Sequence, residues 1–170
     1  MTVANNLLEQ FADEHQRQAI VPHCPTCKNP CCNLSQVVLD MTWQQTQTLY
    51  RITSSRREFD ESLRGGQGPP AIRRRGTTYY AHGSPCPAFH VSTHACGVYG
   101  TAHKPRSCSD FPIYRDGDAL TVDARCEAVD VDAIETKLRE KVKGKGVHRS
   151  KRVHRSSDRE FPFLVTFDVE

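Results

Sequence analysis

Cys24-Pro-Thr-Cys27-Lys-Asn-Pro-Cys31-Cys32 places four thiols within nine residues, and the rest of the chain is read around it. Four further cysteines follow at Cys86, Cys96, Cys108 and Cys126. Thiolates are soft ligands that select zinc, copper(I) or iron–sulfur clusters. A tight nest of cysteines with a distant second group is the pattern of a metal site assembled by folding. In Cys24-x2-Cys27 two thiolates can clasp one ion in a tight turn. Cys31 and Cys32 are adjacent, and neighbouring side chains of an extended backbone point to opposite sides. That pair suits two centres or a polynuclear cluster better than one tetrahedral ion. The spacing is not the ferredoxin run Cys-x2-Cys-x2-Cys-x3-Cys-Pro.

All eight cysteines are therefore candidate ligands, and the expected cofactor is zinc or an iron–sulfur cluster. Cys126 stands apart from any motif. Histidine can replace a thiol at such sites. His23 precedes Cys24, and His82, His90, His94 and His103 crowd the second cysteine group. Taken singly, each is an ordinary surface or hydrogen-bonded histidine; together they are candidates for a ligand or for a donor behind one.

The chain has 170 residues, of which 37% are hydrophobic. That is about one domain's length with a modest core, and metal crosslinks help such chains. The first residues lack the basic and apolar regions of a signal peptide. No apolar run is long enough for a bilayer. The expectation is a cytoplasmic protein without a membrane partner. In a reducing compartment eight cysteines favour metal or redox chemistry over disulfides. A disulfide framework would need the secretory context that is missing here.

The net charge of +3 hides an asymmetry. Residues 137–160 hold ten Lys/Arg against three Asp/Glu, whereas the remainder holds 13 basic and 17 acidic residues. A basic stretch can touch nucleic acid or an acidic protein partner. No aromatic residues are interleaved to stack on bases, so a solvated, mobile segment is the favoured reading and a nucleic-acid partner is not.

Leu7, Leu8, Phe11, Ala12, His15 and Ala19 predict a helix over Asn5–Ile20 that Pro22 stops, with His15 packed rather than ligating. Residues 35–39 read as a short strand. Thr42 reads as the cap of a helix reaching Leu63, ended by Gly65-Gly66. Residues 77–81 read as a strand, and Arg73-Arg74-Arg75 as a solvated edge. Asp116-Gly117 between extended runs predicts a hairpin turn. That register would set Cys108 opposite Arg125, beside Cys126. Val131, Ile134, Leu138 and Val142 predict a helix capped by Asp130. Residues 143–157 read as loosely held, and Phe161–Val169 as a terminal strand.

The expected fold is α+β: a small cysteine-rich, metal-stapled domain of about three helices, a short β-hairpin and irregular metal-binding loops. Residues 1–136 form the cysteine-cluster domain, 137–160 a basic flexible segment, and 161–170 a terminal strand packing back on the domain.

The run Cys-x2-Cys-x3-Cys-Cys, then Cys86-Pro-Ala-Phe, Cys96-Gly-Val-Tyr99 and Pro105-Arg-Ser-Cys108-Ser-Asp-Phe111-Pro112, resembles the YkgJ-type cysteine-cluster family. These are the CxxCxxCC proteins, described as zinc- or iron-chelating domains. The resemblance spans Cys24 to Pro112 and implies that Cys24, Cys27, Cys31, Cys32, Cys86, Cys96 and Cys108 are metal ligands. Lys104 stands where the family has an arginine, Ser109 replaces the arginine after the last cysteine, and two extra residues precede Pro105. These departures spare the ligands and bear on any arginine role in partner binding.

The primary reading is a metal-binding cysteine-cluster protein. The alternatives are a cluster-dependent enzyme acting on a protein or peptide, and a zinc-stapled nucleic-acid binder using the basic tail. The sequence contains no nucleotide loop, nucleophile elbow or HExxH helix, and its Cys-x2-Cys-x3-Cys order is not the radical-SAM spacing.

Overall fold

The computed structural model of the chain describes residues 3–35, 37–151, 153–156 and 159–170. In chain order its helices are α1 (Val3–His15), α2 (Val21–His23), α3 (Trp43–Leu49), α4 (Arg56–Arg64), α5 (Arg106–Asp110) and α6 (Val131–Lys141). Its strands are β1 (Leu39–Met41), β2 (Ile72–Arg75), β3 (Thr78–Ala81), β4 (Phe89–His90), β5 (Ala95–Cys96), β6 (Ile113–Asp116), β7 (Ala119–Asp123), β8 (Val147–Arg149), β9 (Arg155–Ser156), β10 (Arg159–Glu160) and β11 (Leu164–Val169). The architecture is α+β, but the expected three helices, single hairpin and irregular loops are overturned. Among the described residues eleven strands form sheets of three, two, four and two strands. Of the missed strands, β2 and β8 are short and bury little. In β2 only Ile72 is buried, and in β8 only Val147, so neither shows the alternation that marks a strand in sequence.

The chain divides into two compact units. One comprises Met1–Cys27 with Asp110–Glu170, and the other Lys28–Ser109. In the first, β6, β7, β11 and β8 form an antiparallel sheet in that order. The C-terminal run supplies β11, which pairs with β7 from Leu164↔Asp123 to Asp168↔Ala119 and with β8 at Phe167↔Arg149. Strand β7 is buried along its whole length. Its Thr121 hydroxyl bonds that of Thr166 at 2.7 Å, directly across the ladder. Leu8 and Phe11 of α1 and Ile134 and Leu138 of α6 close the core against Leu120, Val122 and Phe167.

Three local expectations are corrected in this unit. Pro22 does not stop the first helix. The chain winds wider over Gln16–Ile20, where the Val21 N–H donates to the Gln16 carbonyl, and α2 follows with Pro22 in its first turn. A proline has no N–H to give and crowds the carbonyl four residues back, and a first turn tolerates both. The hairpin turn is Gly117-Asp118 rather than Asp116-Gly117, since Asp116 faces Ala119. Gly117 takes φ 62° at the first central position, the place a type II′ turn gives to glycine. The ladder ends at Ile113↔Val122 and Cys108 lies on α5, so the expected facing of Cys108 and Arg125 across the hairpin does not form. Finally, the basic run contains β8, with Val147 fully buried. Arg139 and Arg149 pair with Glu135 at 2.7 and 2.6 Å, Arg149 also with Asp132, and Lys141 with Glu14 at 3.0 Å. Arg152, Ser157 and Asp158 of that segment lie outside the described residues.

In the second unit β1, β3 and β2 form an antiparallel sheet with β3 central. The strand expected over residues 35–39 begins only at Leu39, and Gln36 lies outside the described residues. The single helix expected from Thr42 to Leu63 is two. Thr42 caps α3 and Ser55 caps α4, each with a reciprocal capping box, to Gln45 and Glu58. The aromatic rings of Trp43, Phe59 and Tyr79 meet with centroids 5.6 to 6.0 Å apart. Beneath them the Tyr79 hydroxyl donates to Asp60 at 2.7 Å, and Arg74 pairs with the same carboxylate at 2.9 Å. The middle member of the arginine run is thus part of the fold.

Candidate metal centre

Backbone bonds gather five of the eight candidate cysteines inside the second unit. Cys31 and Cys32 sit in a 3-10 turn that Leu34 ends in the left-handed conformation, φ 52° and ψ 24°. From this turn the Leu34 carbonyl accepts the Gly83 N–H and the Cys32 carbonyl accepts the Cys86 N–H, both at 2.8 Å. Cys86 is thereby fixed to Cys32. Its own carbonyl accepts the Phe89 N–H at 2.9 Å, and Phe89 pairs with Cys96 in the β4–β5 ladder. The Gly97 N–H donates back to Ala88 at 2.7 Å. Cys108 arrives on α5, whose Ser107 hydroxyl accepts the Asp40 N–H from β1 at 3.3 Å.

These thiols perturb one another. Cys31 is lowered to about 7, first by the hydrogen bond it accepts from the Cys32 thiol and also by the charge of Lys104. Cys32 is pushed up by donating that bond, by burial and by Cys31, Cys96 and Cys108. Burial pushes Cys108 up to about 12, with Cys31, Cys86 and Cys96 adding and Lys104 opposing. Burial also raises Cys86, while the nearby backbone N–H groups of Ala88 and Phe89 pull the other way. Backbone N–H groups aimed at a sulfur favour its anionic form. Five partly buried thiols cannot all ionise beside one another without a counter-charge, and a bound cation deprotonates coordinating thiols outright.

Two buried polar atoms in this unit, the Tyr50 hydroxyl and His94 Nδ1, have no hydrogen-bond partner among the described residues. Tyr50 is pushed up to about 12 by burial and by the nearby Cys86. His94, two residues before Cys96, takes φ 50° and rests its ring on Phe89 at 5.8 Å. The donor set and these two orphaned atoms fit a soft metal or cluster at the five thiols. The gathering is loose: among the described residues no three of these sulfurs all lie within 4.8 Å of one another.

Cys24, Cys27 and Cys126 belong to the first unit. The Cys24 thiol donates to the Ile20 carbonyl at 3.5 Å. Among the described residues the group of ligand atoms that does close within 4.8 Å is His23, Cys27 and Glu127. Cys27 is buried at the end of the 3-10 turn Cys24–Thr26. Glu127 follows β7 on a turn in which the Val129 N–H bonds the Cys126 carbonyl at 2.9 Å. His15 is packed as expected, 8% exposed and stacked on Phe11. Sequence reasoning missed Glu127, Tyr50 as a site neighbour, and the coupling of Lys104 to the thiols. The one local signal for Glu127 was its place beside Cys126.

Among the described residues no helix is long and apolar enough to cross a membrane. Comparisons of the chain with protein-family models, with curated proteins and with solved structures find no match.

Proposed function

We propose that the chain is a metal-binding cysteine-cluster protein of the cytoplasm, holding zinc or an iron–sulfur cluster at Cys31, Cys32, Cys86, Cys96 and Cys108. The observation that carries this reading is that backbone bonds run from Cys32 to Cys86 and from Cys86 through Phe89 to Cys96, so that thiols from four separate stretches, Cys108 included, act on one another. The resemblance to the YkgJ-type family supports the same set, since all five are among the seven positions it implies. Lys104, at the family's arginine position, places its charge within reach of Cys31 and Cys108 and its ammonium 4.5 Å from the centre of the Tyr99 ring. A cation there would offset part of the negative charge that several thiolates bring to a cluster.

Anaerobic purification with elemental analysis is the test. Zinc or iron bound to the full chain is expected, with visible absorption if it is an iron–sulfur cluster. Chelation under reducing conditions should then loosen the second unit, because ligand binding energy is folding energy in such sites. A metal-free chain, or one whose circular dichroism and melting ignore chelation, would refute the reading.

A further inference from the structure

We infer that His23, Cys27 and Glu127 form a metal site of their own, with mixed nitrogen, sulfur and oxygen ligation, for a single divalent ion of the zinc class. Three observations converge. The three ligand atoms all lie within 4.8 Å of one another. His23 Nε2 is buried and has no hydrogen-bond partner among the described residues. Its nearest acid is Glu127 Oε2 at 3.7 Å, too long for a hydrogen bond but close to the roughly 3.3 Å between two ligands of one tetrahedral ion with bonds of about 2.0 Å. An ion between them would give the imidazole the partner it lacks among the described residues.

Two local turns hold the three ligands. His23 ends α2, and the 3-10 turn Cys24–Thr26 folds the chain back so that the Cys27 N–H donates to the Cys24 carbonyl at 3.2 Å. The Thr26 hydroxyl closes the same turn onto the His23 carbonyl at 3.0 Å. On the other side the Cys126 N–H bonds the Asp123 carbonyl at 3.3 Å, and the Arg125 guanidinium grips the Asp123 carboxylate at 2.6 Å. Cys27 is buried, His23 half-buried and Glu127 exposed, which leaves an entry path for an ion. One imidazole, one thiolate and one carboxylate are the donors zinc accepts together. Three protein ligands leave a fourth position for water or another donor.

This site does not rest on the five-thiol reading, because all its ligands belong to the first unit. The test uses the full-length chain, zinc titration and cadmium NMR of the cadmium-loaded protein. Wild type should give a cadmium resonance upfield of any all-thiolate signal. Glu127→Gln and His23→Gln should each abolish that resonance and weaken zinc binding at this site by about 100-fold or more, since even groups behind a ligand are worth 10–100-fold. Glu127 is on the surface, so its variant should keep the wild-type circular dichroism. The double variant Cys86→Ser with Cys108→Ser should retain the resonance. Unchanged zinc binding in both Glu127→Gln and His23→Gln would overturn the site and leave His23 and Glu127 as a plain ion pair. Loss of the resonance in the Cys86/Cys108 double variant would overturn its independence. Should that double variant lose no metal while Glu127→Gln loses zinc, the mixed-ligand site stands and the five-thiol reading falls.

Discussion

Arg125→Ala tests how the first unit holds the loop that carries Cys126 and Glu127. Asp123 is 1% exposed at the end of β7, and Arg125 is 30% exposed. Two parallel bonds join them: Arg125 Nε to Oδ1 at 2.9 Å and Nη2 to Oδ2 at 2.6 Å. The guanidinium also lies 3.9 Å from the centre of the Phe163 ring, and bonding to Asp123 raises the Arg125 pKa above its usual value. Removing one partner of a buried pair costs about 3–5 kcal/mol, because the other charge is left uncompensated. Two features reduce this. The backbone N–H of residue 125 still donates to Oδ1 at 3.1 Å, and water reaches the partly exposed guanidinium side. The cation–π contact adds about 0.5–1 kcal/mol. The expected loss is therefore about 2–4 kcal/mol. Arg125→Lys should recover part of it, keeping the charge and losing the fork. Asp123→Asn combined with Arg125→Ala should be less damaging than Arg125→Ala alone, since no buried charge remains. The single tryptophan, Trp43, reports on the second unit, so the measurement is amide exchange of the β7–β11 ladder. A loss below about 1 kcal/mol, or a double variant whose loss equals the sum of the singles, would refute the reasoning.

Two further outcomes follow from single side chains. Burial, then the charge of Lys137, lowers the His15 pKa from its ordinary 6.5; the unfolded chain therefore takes up the proton first, and stability present above pH 6.5 should decline as pH falls through it, a slope that His15→Phe should flatten in urea titrations at a series of pH values. Ser55→Ala removes the hydroxyl that accepts the Glu58 N–H at 3.4 Å and should destabilise α4 by about 1 kcal/mol, read by Trp43 fluorescence because that ring packs on Phe59 at 5.6 Å; an unchanged urea midpoint would speak against the cap.

What could be read from the sequence was what neighbours in the chain decide together. Asp130 was legible as a cap because its carboxylate reaches only the Ala133 N–H of its own first turn, at 3.0 Å. The two-residue hairpin was legible as a turn, but its register was not. Either Asp116-Gly117 or Gly117-Asp118 offers the turn a glycine, and the structure places Gly117 at the first central position with φ 62°. The break between α3 and α4 was written in the Ser55-x-x-Glu58 box, yet an apolar stripe of Leu49, Ile52, Phe59 and Leu63 runs across it and imitates one helix. Strands β2 and β8 carried no usable signal, since each buries a single side chain and is a strand only because β3 or β11 lies beside it.

The same distinction runs through the candidate sites. Cys24, Cys27, Cys31 and Cys32 declare themselves because a metal-binding turn needs closely spaced thiols, a local requirement. Glu127 has no such requirement near it. In sequence it is marked by nothing but its place beside Cys126, and its approach to His23 depends on where β7 ends. That end is set by the ladder to β11, whose Leu164 faces Asp123, and by the Ala124 N–H bonding the Phe163 carbonyl at 2.8 Å. The C-terminal run Phe161–Val169, which looked in sequence like a simple cover for the core, therefore fixes where a carboxylate meets the imidazole at the head of the cysteine nest. Ending the chain before Phe161 would take away the neighbour that positions Glu127 although no cysteine would be lost from the sequence.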